Sequence, residues 1–232
     1  MATFKREWFN SETDFVKANY LCGHNPKIHS NDIYDASSNT LKFKNGNFSK
    51  LIIDYNTDFR DKFMSQQVVD ETFDMQKIKV GNNYWIMFLY QNKSIKHLIN
   101  INGTGSNLSG CFICPNLESI HFKTASKISM DQVSRNCSKL KSVIFDDASD
   151  FSSHNERFLE YSNSVTELRL PGIKVSLSIS NLTALSREAL INLFNDLAPL
   201  TVTATLTIGS TLLAKLTDED KKIATDKGWT LA

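Results

Sequence analysis

The chain has 232 residues and a formal net charge of +1, from 26 Lys and Arg against 25 Asp and Glu. Hydrophobic residues make up 41% and charged residues 22%, values near the average of folded domains that exclude a wholly disordered or collagen-like chain. The balanced charge argues against duplex nucleic acid as the main partner, because such binding needs a dense cationic surface. We expect one large domain, or one domain with a small extension.

Residues 1–45 differ from the rest of the chain. Trp8 and Phe9 precede a possible short helix over residues 11–20, and a polar loop then continues to Thr40. We predict that this segment is either an N-terminal cap or a docking segment for a larger assembly. Exposure of the two aromatic side chains would favour docking, since aromatic residues are enriched at interface anchors.

No membrane or export signal is recognisable. The N-terminus lacks the apolar core of a secretory signal, and the longest apolar run, residues 84–90, is too short to span a bilayer. Four cysteines, Cys22, Cys111, Cys114 and Cys137, are too few for a disulfide scaffold. We therefore expect folding in a reducing cytosol and no membrane insertion.

A short apolar pattern recurs from about residue 46 onward. An apolar residue is followed by another three positions later and, in most copies, by a third at plus five. The clearest copies start at Ile95, Leu117, Leu140 and Val165, and the Ile95 copy is broken at its third position by Asn100. Weaker copies are Phe48, Leu51 and Ile53, then Met75, Ile78 and Val80, and finally Leu206 with Ile208.

This pattern predicts stacked β-strands. Apolar residues two apart lie on one face of a strand, and a strand of this kind must share that face with neighbouring copies to bury it. A spacing of 20–29 residues is typical of leucine-rich repeats. Chance alternation in an ordinary sheet protein is the alternative interpretation.

Two segments carry a family resemblance. Residues 114–122 and 136–145 resemble the C-x-x-L-x-x-I-x-F unit of BspA-like leucine-rich-repeat proteins, and the stretch 186–231 is similar to the ending of such proteins. Endings of this type are common in tail, fibre and baseplate proteins of bacteriophages. The resemblance implies an α+β leucine-rich-repeat solenoid of about six to seven short β rungs. Its predicted parts are a cap or docking segment at 1–45, the repeat domain at 46–232 and a helical C-terminal cap at 217–232.

Two helices are predicted near the C-terminus. Ser186 is a suitable N-cap for a helix that Pro199 stops. Its apolar stripe consists of Ala189, Leu190, Leu193, Phe194 and Leu197. Thr217 is a suitable N-cap for a second helix, which Gly228 ends, and residues 229–231 are then expected to form a last strand.

The cysteines and acidic residues do not form a convincing metal site. Cys114 and Cys137 each lie three residues before the start of a copy, so we expect both to be buried in packing rather than to bind metal or to act in redox chemistry with Cys111. Cys22, His24 and His29 are interpreted as a chance grouping. Asp146, Asp147 and Asp150 are predicted to form a solvated turn, because the pattern of a calcium loop is absent.

Catalytic motifs are likewise missing from the sequence. Residues 102–105 are glycine-rich but lack the continuation of a phosphate-binding loop, which predicts an ordinary turn. His97, His121 and His154 have no Ser or Cys partner at a recognised motif spacing. We therefore predict that the protein is not an enzyme and has no cofactor or metal.

The resemblance leads to a functional hypothesis. It implies a structural and recognition protein of a phage virion, a tail fibre, baseplate or head-fibre component, present in many copies. Residues 1–45 would attach it to other virion proteins, and outward side chains would contact a host-cell glycan or protein. Candidate outward residues are His97, His121, Lys123, Lys141, Glu167 and Arg169, without an assigned ligand. The alternatives are a bacterial surface adhesion protein that binds host or matrix proteins, and an intracellular scaffold.

Overall fold

A computed structural model describes residues 34–35, 40–41, 71–74, 91–93, 95–104, 112–126, 133–151, 153, 155 and 157–232. Two short strands come first, β1 (Tyr34–Asp35) and β2 (Thr40–Leu41), and they pair antiparallel. This pair lies in the stretch for which the sequence predicted a loop up to Thr40. The predicted helix over residues 11–20 lies outside the described residues.

The largest sheet among the described residues has five parallel strands in chain order. They are β3 (Thr72–Asp74), β4 (His97–Thr104), β5 (Ser119–Ser126), β6 (Ser142–Phe145) and β7 (Glu167–Arg169). Parallel strands require a connection that returns to the same end of the sheet, which accounts for the roughly 23-residue spacing. A second parallel sheet contains β8 (Leu177–Ser178), β9 (Ala204–Thr207) and β10 (Trp229–Leu231), in the order β10-β9-β8.

The strand register agrees with the alignment of the four clear sequence copies. Leu98 pairs with Ile120, Ile120 with Val143, and Val143 with Leu168. All four side chains are buried, at 0–1% exposure. Equivalent apolar residues therefore form a continuous row through four adjacent strands.

A β-bulge explains the broken third position at Asn100. Leu98 pairs with Ile120 but Ile101, not Asn100, pairs with Phe122, so β4 carries one extra residue at this point. Asn100 adopts a φ of 58°, a left-handed conformation that asparagine tolerates better than most residues. The bulge moves the fully buried Ile101 into the apolar position that Asn100 vacates.

The prediction of one leucine-rich-repeat solenoid of six to seven rungs is wrong. The strands are divided between two small parallel sheets, and β8 pairs with β9 rather than continuing from β7. The reason lies at the end of β7. The backbone N–H of Leu170 donates to the carboxylate of Asp196 at 3.0 Å, and Pro171 has no N–H to donate.

A helix packs where a further strand would have paired. Helix α1 (Arg187–Asp196) contacts β7, and its C-terminal residue is the Asp196 that binds Leu170. The sequence analysis also missed β8, which lies between the copies that start at Val165 and Leu206. Both differences come from contacts between segments that are distant in sequence.

Some smaller features were not predicted from the sequence. Thr72–Asp74 forms the strand that pairs with β4, while the weak copies at residues 48–53 and 75–80 lie outside the described residues and stay predictions. Residues 102–104 extend β4 rather than forming a turn. Helix α2 (Ser210–Leu213) was not expected from the sequence.

The two predicted C-terminal helices are present. Ser186 caps α1 by accepting a hydrogen bond from the backbone N–H of Ala189. Helix α3 (Asp218–Thr225) begins with a capping box between Thr217 and Asp220, and Gly228 follows it with a φ of 86°. No helix in the described part of the chain is long and apolar enough to span a membrane.

Candidate binding surface

The five-stranded sheet has an apolar face and a polar face. Residues that alternate with the buried row lie on the opposite side, where His97, Ser119, Ser142 and Glu167 are paired strand by strand in register. We call this row together with its neighbours His121, Lys123, Ile144, Asp146 and Arg169 the outer face.

Hydrogen bonds across the strands connect the side chains of the first row. Nδ1 of His97 lies 2.9 Å from Oγ of Ser119, and the Ser142 hydroxyl donates to Oε2 of Glu167 at 2.6 Å. Each bond joins neighbouring strands, so these polar groups are positioned by the sheet register. This row presents hydroxyl, imidazole and carboxylate groups at the regular spacing of strands.

The second row contains two side-chain pairs with a carboxylate partner. Nε2 of His121 lies 2.7 Å from Oδ1 of Asp146. Arg169 donates two hydrogen bonds of 2.7 Å to the two carboxylate oxygens of Asp196, which is almost fully buried. The second pair is bidentate, the strongest geometry for this kind of contact, and it fixes the edge of the outer face to α1.

A shallow groove adjoins the outer face between β7 and the start of α1. Its volume is about 190 Å³. It is lined by residues 166–169 of the strand side and by Ser186, Glu188, Ala189 and Asn192 of the helix side. The lining combines carboxylate, guanidinium, hydroxyl and amide groups, a composition suited to a polar ligand.

Five of the six predicted outward residues belong to this face, and the sixth, Lys141, directly precedes Ser142. His97, His121, Lys123 and Arg169 are partly exposed, while Lys141 and Glu167 are exposed. What the sequence did not predict is that several of them already have protein partners. Ser119 and Ser142 could have been found from strand alternation, but Asp196 could not, because it belongs to a distant helix.

Cys114 and Cys137 occupy the buried position that the sequence predicted. Both side chains are at 0% exposure, and the Cys137 thiol donates to the carbonyl of Phe112 at 3.1 Å. Burial raises the pKa of Cys137 to about 12 and raises the pKa of Cys114 further above its ordinary value. Thiols in this state are neutral and unreactive near pH 7.

The acidic turn after β6 is bound by protein donors. The backbone N–H of Ser149 donates to Oδ1 of Asp147 at 2.8 Å, and hydrogen bonds from Ser149 lower the pKa of this carboxyl. In the described part of the chain, no group of three or more His, Cys, Asp or Glu side chains is placed to bind a metal. The expectations of no enzyme activity and no cofactor remain predictions.

Several residues discussed from the sequence lie outside the described residues: Trp8, Phe9, Cys22, His24, His29, Cys111 and His154.

No family model, curated protein or solved structure was found to match this chain. The resemblance to BspA-like proteins therefore remains a prediction from the sequence.

Proposed function

We propose that the protein is a non-enzymatic structural and recognition component of a phage virion, such as a tail-fibre, baseplate or head-fibre protein. Residues 1–45 attach it to other virion proteins in this proposal, and the outer face contacts the host-cell surface. The phage assignment depends on the sequence resemblance of the C-terminal stretch. The recognition role depends on the geometry of the outer face.

The observation that carries the recognition role is the cross-strand bonding of the outer face. His97 with Ser119, and Ser142 with Glu167, are joined between neighbouring strands. Side chains restrained in this way lose little conformational entropy when a ligand binds, so more of the contact energy is available as affinity. Many copies on one particle would add avidity to weak single contacts.

The virion assignment is tested on purified particles. The particles released by the strain that carries the gene are banded by density and analysed by peptide mass spectrometry and immunogold labelling with an antibody to this chain. We expect the chain in the particle band, with gold at one particle region. Its absence from the particles, with presence on the bacterial surface, would replace this proposal with the adhesion alternative.

Host recognition is tested with the labelled full-length chain and whole host cells. Lys141→Glu reverses an exposed charge beside the outer face, and Lys222→Glu makes the same change on an exposed position of α3. We expect wild-type binding to cells, a loss of about fivefold or more for Lys141→Glu, and little loss for Lys222→Glu. Equal effects of the two variants, or no binding by the wild type, would contradict a recognition role of this face.

A further inference from the structure

A second surface is formed by the turns around residues 136, 161 and 181, which precede β6, β7 and α1. Here Tyr161 is 54% exposed, and it is the one large aromatic side chain among the described residues with such exposure. Its backbone has a φ of 61°, in the left-handed region, and Asn136 at the equivalent position of the preceding turn has a φ of 62°, so this conformation belongs to the turns. A side chain that is more than half exposed contributes little to the core.

The ring is held by a charged neighbour. The Arg135 guanidinium lies over the Tyr161 ring, 5.3 Å from its centroid, and Nε of Arg135 is 2.9 Å from Oε2 of Glu160. The ion pair fixes the arginine, and the arginine covers one side of the ring. Since more than half of Tyr161 stays exposed, a flat aromatic surface remains open to a ligand.

Asparagine residues lie on the turns before and after the turn of Tyr161. Asn136 is exposed, and its backbone N–H donates to the carbonyl of Glu160 at 3.0 Å, which places it on the turn before. Asn181 lies on the turn after, where its side-chain N–H donates to the carbonyl of Leu159 at 2.8 Å. The three residues each precede a buried residue of the turn, so the order along this edge is amide, aromatic ring, amide.

The chemistry of this edge points to a class of ligand. The open ring suits a flat group whose C–H bonds face it, because the face of an aromatic ring is electronegative. The amides offer donors and acceptors for hydroxyl groups. The charge of Arg135 is balanced by its ion pair with Glu160.

We propose that Tyr161, Asn136 and Asn181 form a binding site for a neutral carbohydrate. The pyranose ring stacks on the open side of Tyr161, and its hydroxyl groups bond to the flanking amides. Tyrosine suits this purpose because it supplies a large contact area with few rotatable bonds. The site shares no residue with the outer face, and the inference does not require the chain to be part of a phage.

The test uses the full-length chain on a printed array of neutral and anionic glycans. We expect binding to a subset of neutral glycans, reduced about tenfold or more by Tyr161→Gly and retained by Tyr161→Trp. Glycine adopts a positive φ without strain, so Tyr161→Gly should keep the thermal midpoint of the wild type. Tyr161→Asn serves as a second ring deletion, because asparagine also tolerates this backbone conformation.

Val202→Gly is the matched control, since Val202 is a 71% exposed apolar residue on another loop. It should leave glycan binding unchanged. The proposal is overturned if the wild type binds no neutral glycan, if it prefers anionic glycans, or if the folded ring-deletion variants bind as well as the wild type.

Discussion

At the residue scale, equivalent positions of adjacent turns carry equivalent buried groups. Cys114, Cys137 and Ser162 each lie three residues before the apolar residue that starts the next strand segment, and all are fully buried. Cys137 and Ser162 donate to backbone carbonyls of the preceding turn, those of Phe112 and Ser134. Small donors are suited to this position because they fit the packing and satisfy carbonyl groups that would otherwise be buried without partners.

The thiols at this position are expected to be unreactive in the folded protein. We predict that iodoacetamide at about pH 8 leaves Cys114 and Cys137 unmodified in native conditions, because their raised pKa values keep the thiolate fraction very small. Peptide mass spectrometry after labelling measures each cysteine separately. The same treatment in concentrated urea should modify both. Rapid native labelling of Cys137 would show that the thiol is accessible.

At the element scale, the C-terminal end of α1 depends on a residue from another element. The last turn of α1 contains no basic residue, although the end of a helix favours a positive charge. Lys227, which follows α3, donates to the carbonyls of Phe194, Asn195 and Leu197 at 2.7–2.9 Å. All three N–H groups of the ammonium therefore donate to carbonyl groups at this end of the helix.

Lys227→Met should therefore destabilise the fold. Methionine keeps most of the length of the side chain and removes three charge-assisted hydrogen bonds, so we expect the free energy of unfolding to fall by about 2 kcal/mol. Urea unfolding followed by circular dichroism measures the change. Lys222→Met, at an exposed position of α3, should change it by less than about 0.5 kcal/mol. Equal values for the two variants would refute the capping role.

The start of α3 predicts a pH dependence. Hydrogen bonds from Arg187, and then from the backbone of Thr217, lower the pKa of Asp220 below its ordinary value. The native state therefore holds the ionised carboxylate more strongly than the unfolded chain does. Its stabilisation is fully present above the unfolded pKa and is lost as the pH falls through the lower native value.

Asp220→Asn should accordingly be less stable than the wild type near neutral pH, and the difference should shrink as the pH is lowered to about 2. Unfolding by urea at a series of pH values tests this. Asp226→Asn, which removes an exposed carboxylate of the same region, serves as the control and should change stability near neutral pH by less than about 0.5 kcal/mol. A wild-type advantage that stays constant down to the lowest pH would contradict the sign of the linkage.

At the scale of the whole molecule, an aromatic cluster joins the strands of the large sheet to the connections that cover it. Phe122 and Phe145 are stacked, with centroids 4.3 Å apart and planes 8° from parallel. Phe145 also meets Phe151 and Phe158 edge to face, at 5.4 and 6.1 Å. Because one ring contacts a neighbouring strand and two connecting segments, its packing couples these parts of the fold.

Phe145→Ala should be the most damaging of these substitutions. Removing a fully buried ring leaves a cavity, and we expect a loss of about 3–5 kcal/mol, a large fraction of the stability of an ordinary domain. Thermal and urea unfolding measure the loss. Phe145→Leu, which keeps much of the volume, should cost less, and the exposed Val202→Ala should change stability by no more than about 0.5 kcal/mol. A loss for Phe145→Ala below that of Phe145→Leu would contradict the packing argument.

The helix caps, the left-handed glycine and the buried row of the large sheet could be predicted from the sequence alone. The capping residues Ser186 and Thr217, the left-handed Gly228 and the aligned apolar residues Leu98 to Leu168 all act through near neighbours or through strand alternation. These features depend on the chemistry of adjacent residues, so a pattern along the chain is enough to predict them. The outward positions of His97 and His121 followed from the same alternation.

Only the tertiary structure decided where the sheet ends and how the outer face is bonded. The prediction of a single solenoid was wrong because Asp196, at the end of a helix, occupies the edge of β7. Its carboxylate accepts hydrogen bonds from the Arg169 side chain and from the backbone N–H of Leu170. The exposure of Tyr161 and its contact with Arg135 could likewise not be predicted from the sequence. Each of these contacts joins residues about 26 positions apart, and the energy of such a contact depends on geometry that no local pattern encodes.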